Sequence, residues 1–359
     1  SDDLIHGRDL PYAIYPGPEK LCYSGGTLVE GDTVYAFYPG VDAGQMLAKS
    51  SDPLLLNWKK VTGKPINSPR GDACIWKDRN SYYALLGDFR LLESKNLVDW
   101  KSHGDILELP SNEKYSLSLI RKTPNPLLYS MMRDNTSCPS FWPIGDKHMY
   151  LFFSHENGGQ YYLGDYDKSR KNFKPYMLGR FNHGKGMPGG VHAPSAYPDP
   201  NNQGELINIF NINSGIPAVN WNQIMSIPHH YALNNDKTLN IQPVKAIESL
   251  RTNHRHVGET EMKANEELVF ESIQGKSMEL NFEIDQADAR AIQISVLRSP
   301  NAEEKTTITF YNRALYTFPV SSIWRPTDGQ LVLDVTDSTT SSDVWLRPPE
   351  KAKLLLSSI

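Results

Sequence analysis

Short runs rich in β-branched and aromatic residues recur along the chain. Thr33-Val34-Tyr35-Ala36-Phe37-Tyr38, Ser81-Tyr82-Tyr83-Ala84-Leu85-Leu86, Met149-Tyr150-Leu151-Phe152-Phe153 and Leu206-Ile207-Asn208-Ile209-Phe210 are of this kind. In each, apolar side chains alternate with polar ones or follow one another without a break, and Gly, Asn and Asp bound the run. That is the signature of strands. The i, i+3, i+4, i+7 spacing of a long amphipathic helix is hard to find. The pattern predicts an all-β fold.

Each of the four runs has the same surroundings. A first strand precedes it: Gly26-Thr27-Leu28-Val29, Cys74-Ile75-Trp76, Ser140-Phe141-Trp142-Pro143-Ile144 and Ala193-Pro194-Ser195-Ala196-Tyr197. Between the two lies a turn of Glu30-Gly31-Asp32, Lys77-Asp78-Arg79-Asn80, Gly145-Asp146-Lys147 or Asp199-Pro200-Asn201-Asn202-Gln203-Gly204. Such residues supply the left-handed or side-chain-bonded backbone that tight hairpins need. A third strand follows, as in Gln160-Tyr161-Tyr162-Leu163-Gly164. An indole closes two units, in Ser51–Trp58 and Ser94–Trp100, and Phe173 stands in its place in the third. Four strands per unit, repeated, predict the blades of a β-propeller. A sandwich of irregular strands is the alternative; the fixed order of turn, aromatic strand and closing aromatic argues against it.

Ser1-Asp2-Asp3-Leu4-Ile5-His6-Gly7 lines up with the closing segment Ser94–Trp100, so the chain is expected to open with the last strand of a further blade. The expected architecture is a five-bladed propeller type, four complete blades plus the remnant of the first, over residues 1–250. From about Glu259 the texture changes to clean alternation, as in Glu267–Phe270, Ser277–Ile284 and Ala291–Leu297, which predicts a β-sandwich module over 259–359. Ile247–Arg251 is the expected junction. An incomplete ring would expose apolar faces and strand edges, and self-association through that gap is a further expectation.

Composition narrows the function. With 37 Lys+Arg against 41 Asp+Glu the net charge is −4, and no basic stripe marks a nucleic-acid partner. No apolar run approaches the roughly 18 residues that cross a bilayer, so no membrane partner is expected. Ser1–Leu4 hold neither the basic stretch nor the apolar core of a secretory leader. Three cysteines give an odd count and no disulfide scaffold, and they exclude neither redox compartment. A secreted or periplasmic location is the leaning expectation.

In a propeller the first strand of each blade lines the axis, so chemistry is sought where those strands begin. There lie Ser24-Gly25-Gly26, Gly71-Asp72-Ala73, Ser137-Cys138-Pro139 and Val191-His192-Ala193-Pro194. This succession resembles glycoside hydrolase family 32, the β-fructofuranosidases (invertases, inulinases, levanases). Tyr23-Ser24-Gly25-Gly26 is similar to the family's Ser-Gly-Ser element, Gly71-Asp72-Ala73 to Arg-Asp-Pro, and Ser137-Cys138-Pro139 to Glu-Cys-Pro. Leu4–Gly7, Leu10-Pro11 and Ala13–Pro16 resemble the family's linker between its first two blades, with Gly7 where Trp is usual. The likeness covers essentially the whole chain, and the family's second domain is a β-sandwich. The resemblance implies a β-linked fructose as ligand, no cofactor and a retaining mechanism. Two carboxylates roughly 5 Å apart would serve as nucleophile and acid/base. A third acid, at Asp72, would bind the fructose hydroxyls and favour the oxocarbenium-like state.

The chain departs from that pattern at decisive positions. No Asn-Asp-Pro-Asn-Gly, the nucleophile element, occurs in it. Ser137 stands at the acid/base position, and a hydroxyl is no proton donor near neutral pH. Gly71 and Ala73 replace the Arg and Pro beside Asp72, with Arg70 one residue away. The expectation is a fructoside-handling propeller without hydrolytic activity, binding its glycan through Asp72, Ser24, Gly25, Arg70, Cys138 and His192. A non-catalytic glycan-binding module and an arabinan-type five-bladed hydrolase are the alternatives. Asp134 and Glu156 read as solvated loop acids. His192, His229, His230, His254 and His256 show no metal-ligand spacing, so no metal is expected. Gly184–Gly190 lacks the ending of a phosphate loop. Trp76 and Trp142 read as core between blades, Trp221 as a residue able to stack on a sugar.

Overall fold

A computed structural model of the chain describes residues 3–108, 136–155, 158–181, 190–213, 220, 223–275, 277–285, 289, 291–301, 303, 305–312, 331–337, 343–345 and 353–358. Asp134, Glu156, Trp221 and most of Gly184–Gly190 lie outside the described residues.

Four antiparallel sheets follow one another. The first contains β1 (Gly26–Glu30), β2 (Thr33–Gly40), β3 (Gly44–Ser50) and β4 (Lys59–Lys60). The second contains β5 (Ala73–Asp78), β6 (Ser81–Leu86), β7 (Arg90–Ser94) and β8 (Trp100–Asp105). The third contains β9 (Thr136–Ile144), β10 (Lys147–Ser154), β11 (Gly158–Asp167) and β12 (Asn172–Arg180). The fourth contains β13 (Gly190–Pro198), β14 (Leu206–Asn213), β15 (Ile224–Met225), β16 (His229–Leu233) and β17 (Leu239–Pro243). Within each sheet the strands lie side by side in chain order, apart from the short β15, which pairs only with β14. The first strands β1, β5, β9 and β13 are neighbours from sheet to sheet. This is an all-β, propeller-like arrangement of four blades.

Aromatic packing between blades accounts for the composition. Leu28, Phe37 and Leu47 of the first blade bury against Ile75, Ala84 and Trp100 of the second. Cys74, Leu85 and Phe89 of the second meet Phe141, Tyr150, Phe152 and Phe173 of the third. Met149, Leu163 and Phe181 of the third meet Phe210 and Tyr231 of the fourth. The Trp76 ring lies 5.9 Å from that of Phe141 in the next blade, and Trp142 donates its indole N–H to the Ala196 carbonyl at 2.9 Å, so both are tied into these seams. Large buried side chains of this kind contribute about 2 kcal/mol or more each. Gly26 lets two inner strands meet: a Cβ there would collide with the Ala73 carbonyl.

The closing segments differ in one respect from their prediction. Ser51–Trp58 and Ser94–Trp100 are turns that feed the outer strand rather than the strand itself, which begins at Lys59 and at Trp100. The reason lies in their side chains. Ser94 Oγ accepts from the Leu97 amide (2.9 Å), Asn96 Oδ1 from the Val98 and Asp99 amides (3.0 and 2.8 Å), and Trp100 Nε1 donates to the Leu97 carbonyl (2.9 Å). Backbone groups held by side chains cannot join a ladder. Leu97 and its counterpart Leu55 are left-handed, with φ 65° and 54°. Asp3 builds the same turn. Its Oδ1 accepts from the Ile5 and His6 amides at 2.9 and 2.8 Å, and Leu4 has φ 64°.

Behind the first blade, Tyr38, Met46 and Ala48 are covered by Ile14, Cys22 and Trp58. A buried carboxylate sits among them. Glu19 Oε1 accepts from Tyr38 Oη (2.9 Å) and Cys22 Sγ (3.3 Å) and pairs with Lys60 Nζ (2.5 Å). Burial raises the Glu19 pKa, but Lys60 and the other donors outweigh it and hold the carboxyl down at about 2.

Beyond a short 3-10 helix at Lys245–Leu250, the described residues form two three-stranded sheets. β18 (Met278–Glu283) pairs with β23 (Lys353–Ser358), which pairs with β22 (Asp343–Trp345). β20 (Thr306–Asn312) lies between β19 (Ala291–Val296) and β21 (Leu331–Asp337). Two of the three predicted alternating runs form strands here. Glu267–Phe270 does not; Leu268, Val269 and Phe270 are exposed, and alternation without a paired neighbour makes no strand. Among the described residues no helix is long and apolar enough to cross a membrane.

Candidate active site

The inner strands bring three of the sequence-predicted residues together. The Cys138 amide donates to Asp72 Oδ2 at 3.2 Å, its thiol lies 3.8 Å from the same oxygen, and Ser24 Oγ lies 3.8 Å from that sulfur. Asp72, just before β5, therefore touches β9, and through Cys138 reaches the segment entering β1. Blades two and three are pressed together at this end: the Gly87 amide donates to the Asp72 carbonyl at 3.3 Å, and a Cβ on Gly87 would run into the Thr136 carbonyl.

Asp72 is half-buried, and burial raises its carboxyl pKa; the Cys138 donors and the charges of His155 and Arg70 act the other way. The Cys138 thiol is pushed up to about 11 by burial and by the Asp72 charge, so it is a neutral donor rather than a thiolate. Cys74, fully buried, is pushed up to about 12 by burial and fills space between blades.

Two neighbouring blades carry the same kink. Cys138 before Pro139 has φ 49°, and Ala193 before Pro194 has φ 43°. At each the ladder slips, between Leu151 and Phe153 in one blade and between His192 and Ser195 in the other. Left-handed backbone at a residue with a Cβ costs about 1–2 kcal/mol, and the following proline restricts it further. These bulges place Ser137 and His192 at corresponding positions of adjacent blades. Ser137 is paired with Phe153 of β10. The Phe153 ring lies 4.7 Å from His192 and 4.7 Å from His155, centroid to centroid, so the serine, the phenylalanine and both imidazoles converge.

Arg70 is exposed and acts on Asp72 through its charge, while Gly71 donates its amide to the buried Gln45 side chain at 3.0 Å. Gly25 is exposed at the entry to β1, and a Cβ there would strike the Phe37 carbonyl. His155 is the residue that the sequence did not single out. It follows the aromatic strand of its blade directly, and the nearby Glu156 drew attention for its charge alone.

Another group able to hold a cation is Asp199, Glu205 and His230, whose candidate ligand atoms lie within 4.8 Å of one another. His230 reaches Asp199 through Nε2 (2.6 Å) and Glu205 through Nδ1 (2.9 Å), so each carboxylate already has an imidazole partner. The group lies past the far end of β13 from His192. Sequence spacing could not reveal it, because the three residues meet only through strand pairing.

The family model for the N-terminal domain of glycosyl hydrolases family 32 matches residues 1–243, and that for its C-terminal domain matches residues 246–357. The chain belongs to glycosyl hydrolases family 32. Among similar proteins, a cell wall isozyme of beta-fructofuranosidase from Pisum sativum is 24% identical over 348 residues, covering 79% of this chain and 58% of that protein. The chain thus spans little more than half the length of this relative. Sucrose-6-phosphate hydrolase of Escherichia coli is 21% identical over 394 residues, covering 98% of this chain and 77% of that one. Among solved structures, RS223-beta-xylosidase gives a TM-score of 0.43 at 13% identity, covering 62% of this chain and 73% of that one. An endo-arabinanase from Bacillus licheniformis gives 0.38 at 12%, covering 91% and 99%.

Proposed function

We propose that this family 32 chain binds a β-fructofuranoside at the axial end of its inner strands and does not cleave it by the two-carboxylate retaining route. The observation that carries this reading is the pairing of Asp72 Oδ2 with the Cys138 amide next to Ser137. It puts the sugar-binding acid of the family pattern in contact with the motif that should hold the proton donor, and that motif offers a hydroxyl. A retaining glycosidase needs a carboxylic acid there and a second carboxylate about 5 Å away. Losing either normally costs several kcal/mol of transition-state stabilisation. Asp72, half-buried and beside a donor thiol, is suited to accept from vicinal sugar hydroxyls. Ser24, Gly25, Arg70, Cys138 and His192 complete the proposed binding set, supported by the contacts of Cys138 with Asp72 and of Ser24 with Cys138.

The same reading extends to the architecture. The Asp3 turn, built like the Asn96 turn, supports a fifth blade of which residues 1–7 are the closing part. The two C-terminal sheets support a sandwich over 259–359 beside a propeller over 1–250.

Calorimetric titration of the full chain with fructose and short β-2,1-linked fructans tests binding, with fructose release from sucrose and inulin followed in parallel. The expected result is saturable binding, weakened at least about tenfold by Asp72→Asn, the loss of one charge-assisted hydrogen bond or more. No fructose is expected to be released. Release that Asp72→Asn abolishes would overturn the proposal.

A further inference from the structure

Gln45, the second residue of β3, is a glutamine in the core, 1% exposed, two residues before Leu47 and so on the strand face that meets the second blade. Burying an amide is unfavourable unless its polar atoms are paired, and only half of this one is. The Gly71 amide donates to Oε1 at 3.0 Å, whereas Nε2 is buried with no hydrogen-bond partner among the described residues. Leucine or methionine would fill the same space without that orphaned donor. What this side chain contributes is therefore its acceptor, and the acceptor serves the residue before Asp72. The Gln45 carbonyl also takes the Ile66 amide at 2.8 Å, so one residue of β3 grips the segment 66–71 at both its ends. Pro69 has no amide to donate, Arg70 is exposed and Gly71 has no side chain, which leaves the Gly71 N–H as the handle beside Asp72.

We propose that Gln45 is a positioning residue of the axial site, holding Gly71 so that the Asp72 carboxylate meets a sugar hydroxyl in a fixed place. The inference rests on the fructoside-binding reading above and deepens it by naming what orients its acid. Three blades then act on Asp72. Gln45 of the first holds the residue before it, the Gly87 amide of the second donates to its carbonyl at 3.3 Å, and the Cys138 amide of the third donates to Oδ2 at 3.2 Å. None of the three bonds engages Oδ1, which leaves that oxygen to accept from a ligand. An acid set in place beforehand loses less freedom when the sugar arrives, and that preorganisation appears as affinity. Gln45 itself is buried and acts through Gly71.

The test is calorimetric titration of the full chain with a short β-2,1-linked fructan for wild type, Gln45→Met, Gln45→Glu and Leu47→Ala, with urea unfolding of each. Gln45→Met keeps the volume and removes the acceptor, and it is expected to weaken binding about tenfold, the equivalent of one lost hydrogen bond. Gln45→Glu gives up only the unpaired N–H groups and keeps an oxygen for Gly71, so it should bind like wild type. Leu47→Ala opens a cavity on the same face without removing either bond to the segment 66–71, so it should lower the urea midpoint and leave affinity unchanged. A loss in Gln45→Glu or Leu47→Ala equal to that in Gln45→Met overturns the assignment, and so does unchanged binding by Gln45→Met. A second readout needs no ligand: carbon-NMR titration of the Asp72 carboxyl, assigned by its absence from Asp72→Asn. Burial raises the pKa of that carboxyl, and freeing Gly71 in Gln45→Met is expected to let it fall toward the ordinary carboxylate range. A midpoint that does not fall overturns the positioning role. Failure of the wild type to bind any fructan sinks the binding reading, and the carboxyl titration then decides by itself whether Gln45 sets Asp72. Should Gln45→Met not fold, Gln45→Asn, whose amide stops one methylene short, takes its place in both measurements.

Discussion

Glu19 and Lys60 show how a single buried pair sets a local condition on folding. The carboxylate is enclosed by Tyr38, Cys22 and Lys60, and one of its oxygens, Oε2, has no hydrogen-bond partner among the described residues. Removing the ammonium strands a buried negative charge, so Lys60→Met is expected to lower stability by about 3 kcal/mol, measured by urea unfolding at neutral pH. An unchanged midpoint would mean that water reaches the carboxylate. Residues of the axial site were legible in the sequence to the extent that their chemistry is local. Ser24, Asp72 and Cys138 each occur in a short motif entering an inner strand, so their meeting follows once the blades are counted. His155 was not legible. Its place beside Phe153, near Ser137 and His192, comes from strand register and from ring contacts between strands of two blades, which no spacing along the chain encodes.

At the scale of elements, hydrophobic pattern and turn chemistry located all four blades. Strand ends were less well read, because the closing motifs spend their backbone groups on Ser94, Asn96 and Asp52 side chains instead of on a ladder. Glu267–Phe270 failed for a complementary reason: alternation describes one strand, and pairing needs two. The close approach of inner strands gives a sharp test. Gly26→Ala would press a methyl against the Ala73 carbonyl, and overpacking of this kind costs about 1–3 kcal/mol. Thermal unfolding should register it as a fall in Tm, whereas Gly31→Ala, in an open turn with φ 56°, should cost about 1 kcal/mol from backbone strain alone. Equal losses at the two positions would remove the case for close approach between β1 and β5.

For the whole molecule, buried ionisable groups predict the course of acid unfolding. His148 and His229 are pushed down from 6.5 to about 4, chiefly by burial, so the folded chain holds them neutral. The unfolded chain takes up those protons first. Their contribution is therefore complete above about pH 6.5 and is lost as pH falls toward 4. Glu19 acts lower: its contribution is complete above about 4.5 and is lost as pH falls toward 2. Urea midpoints measured from pH 7.5 down to pH 3 should decline in two stages, and His229→Phe should flatten the upper one. A midpoint constant between pH 7 and 4 would show that neither imidazole is held neutral.

The paired kinks at Cys138 and Ala193 separate scaffold from chemistry. Each bends its strand through the backbone and the proline that follows, and neither bend depends on which side chain precedes it. Position 137 is therefore a socket: exchanging its side chain leaves the strand around it as built. A framework of that kind lets the side chains at the entry of its inner strands change without re-evolving a fold.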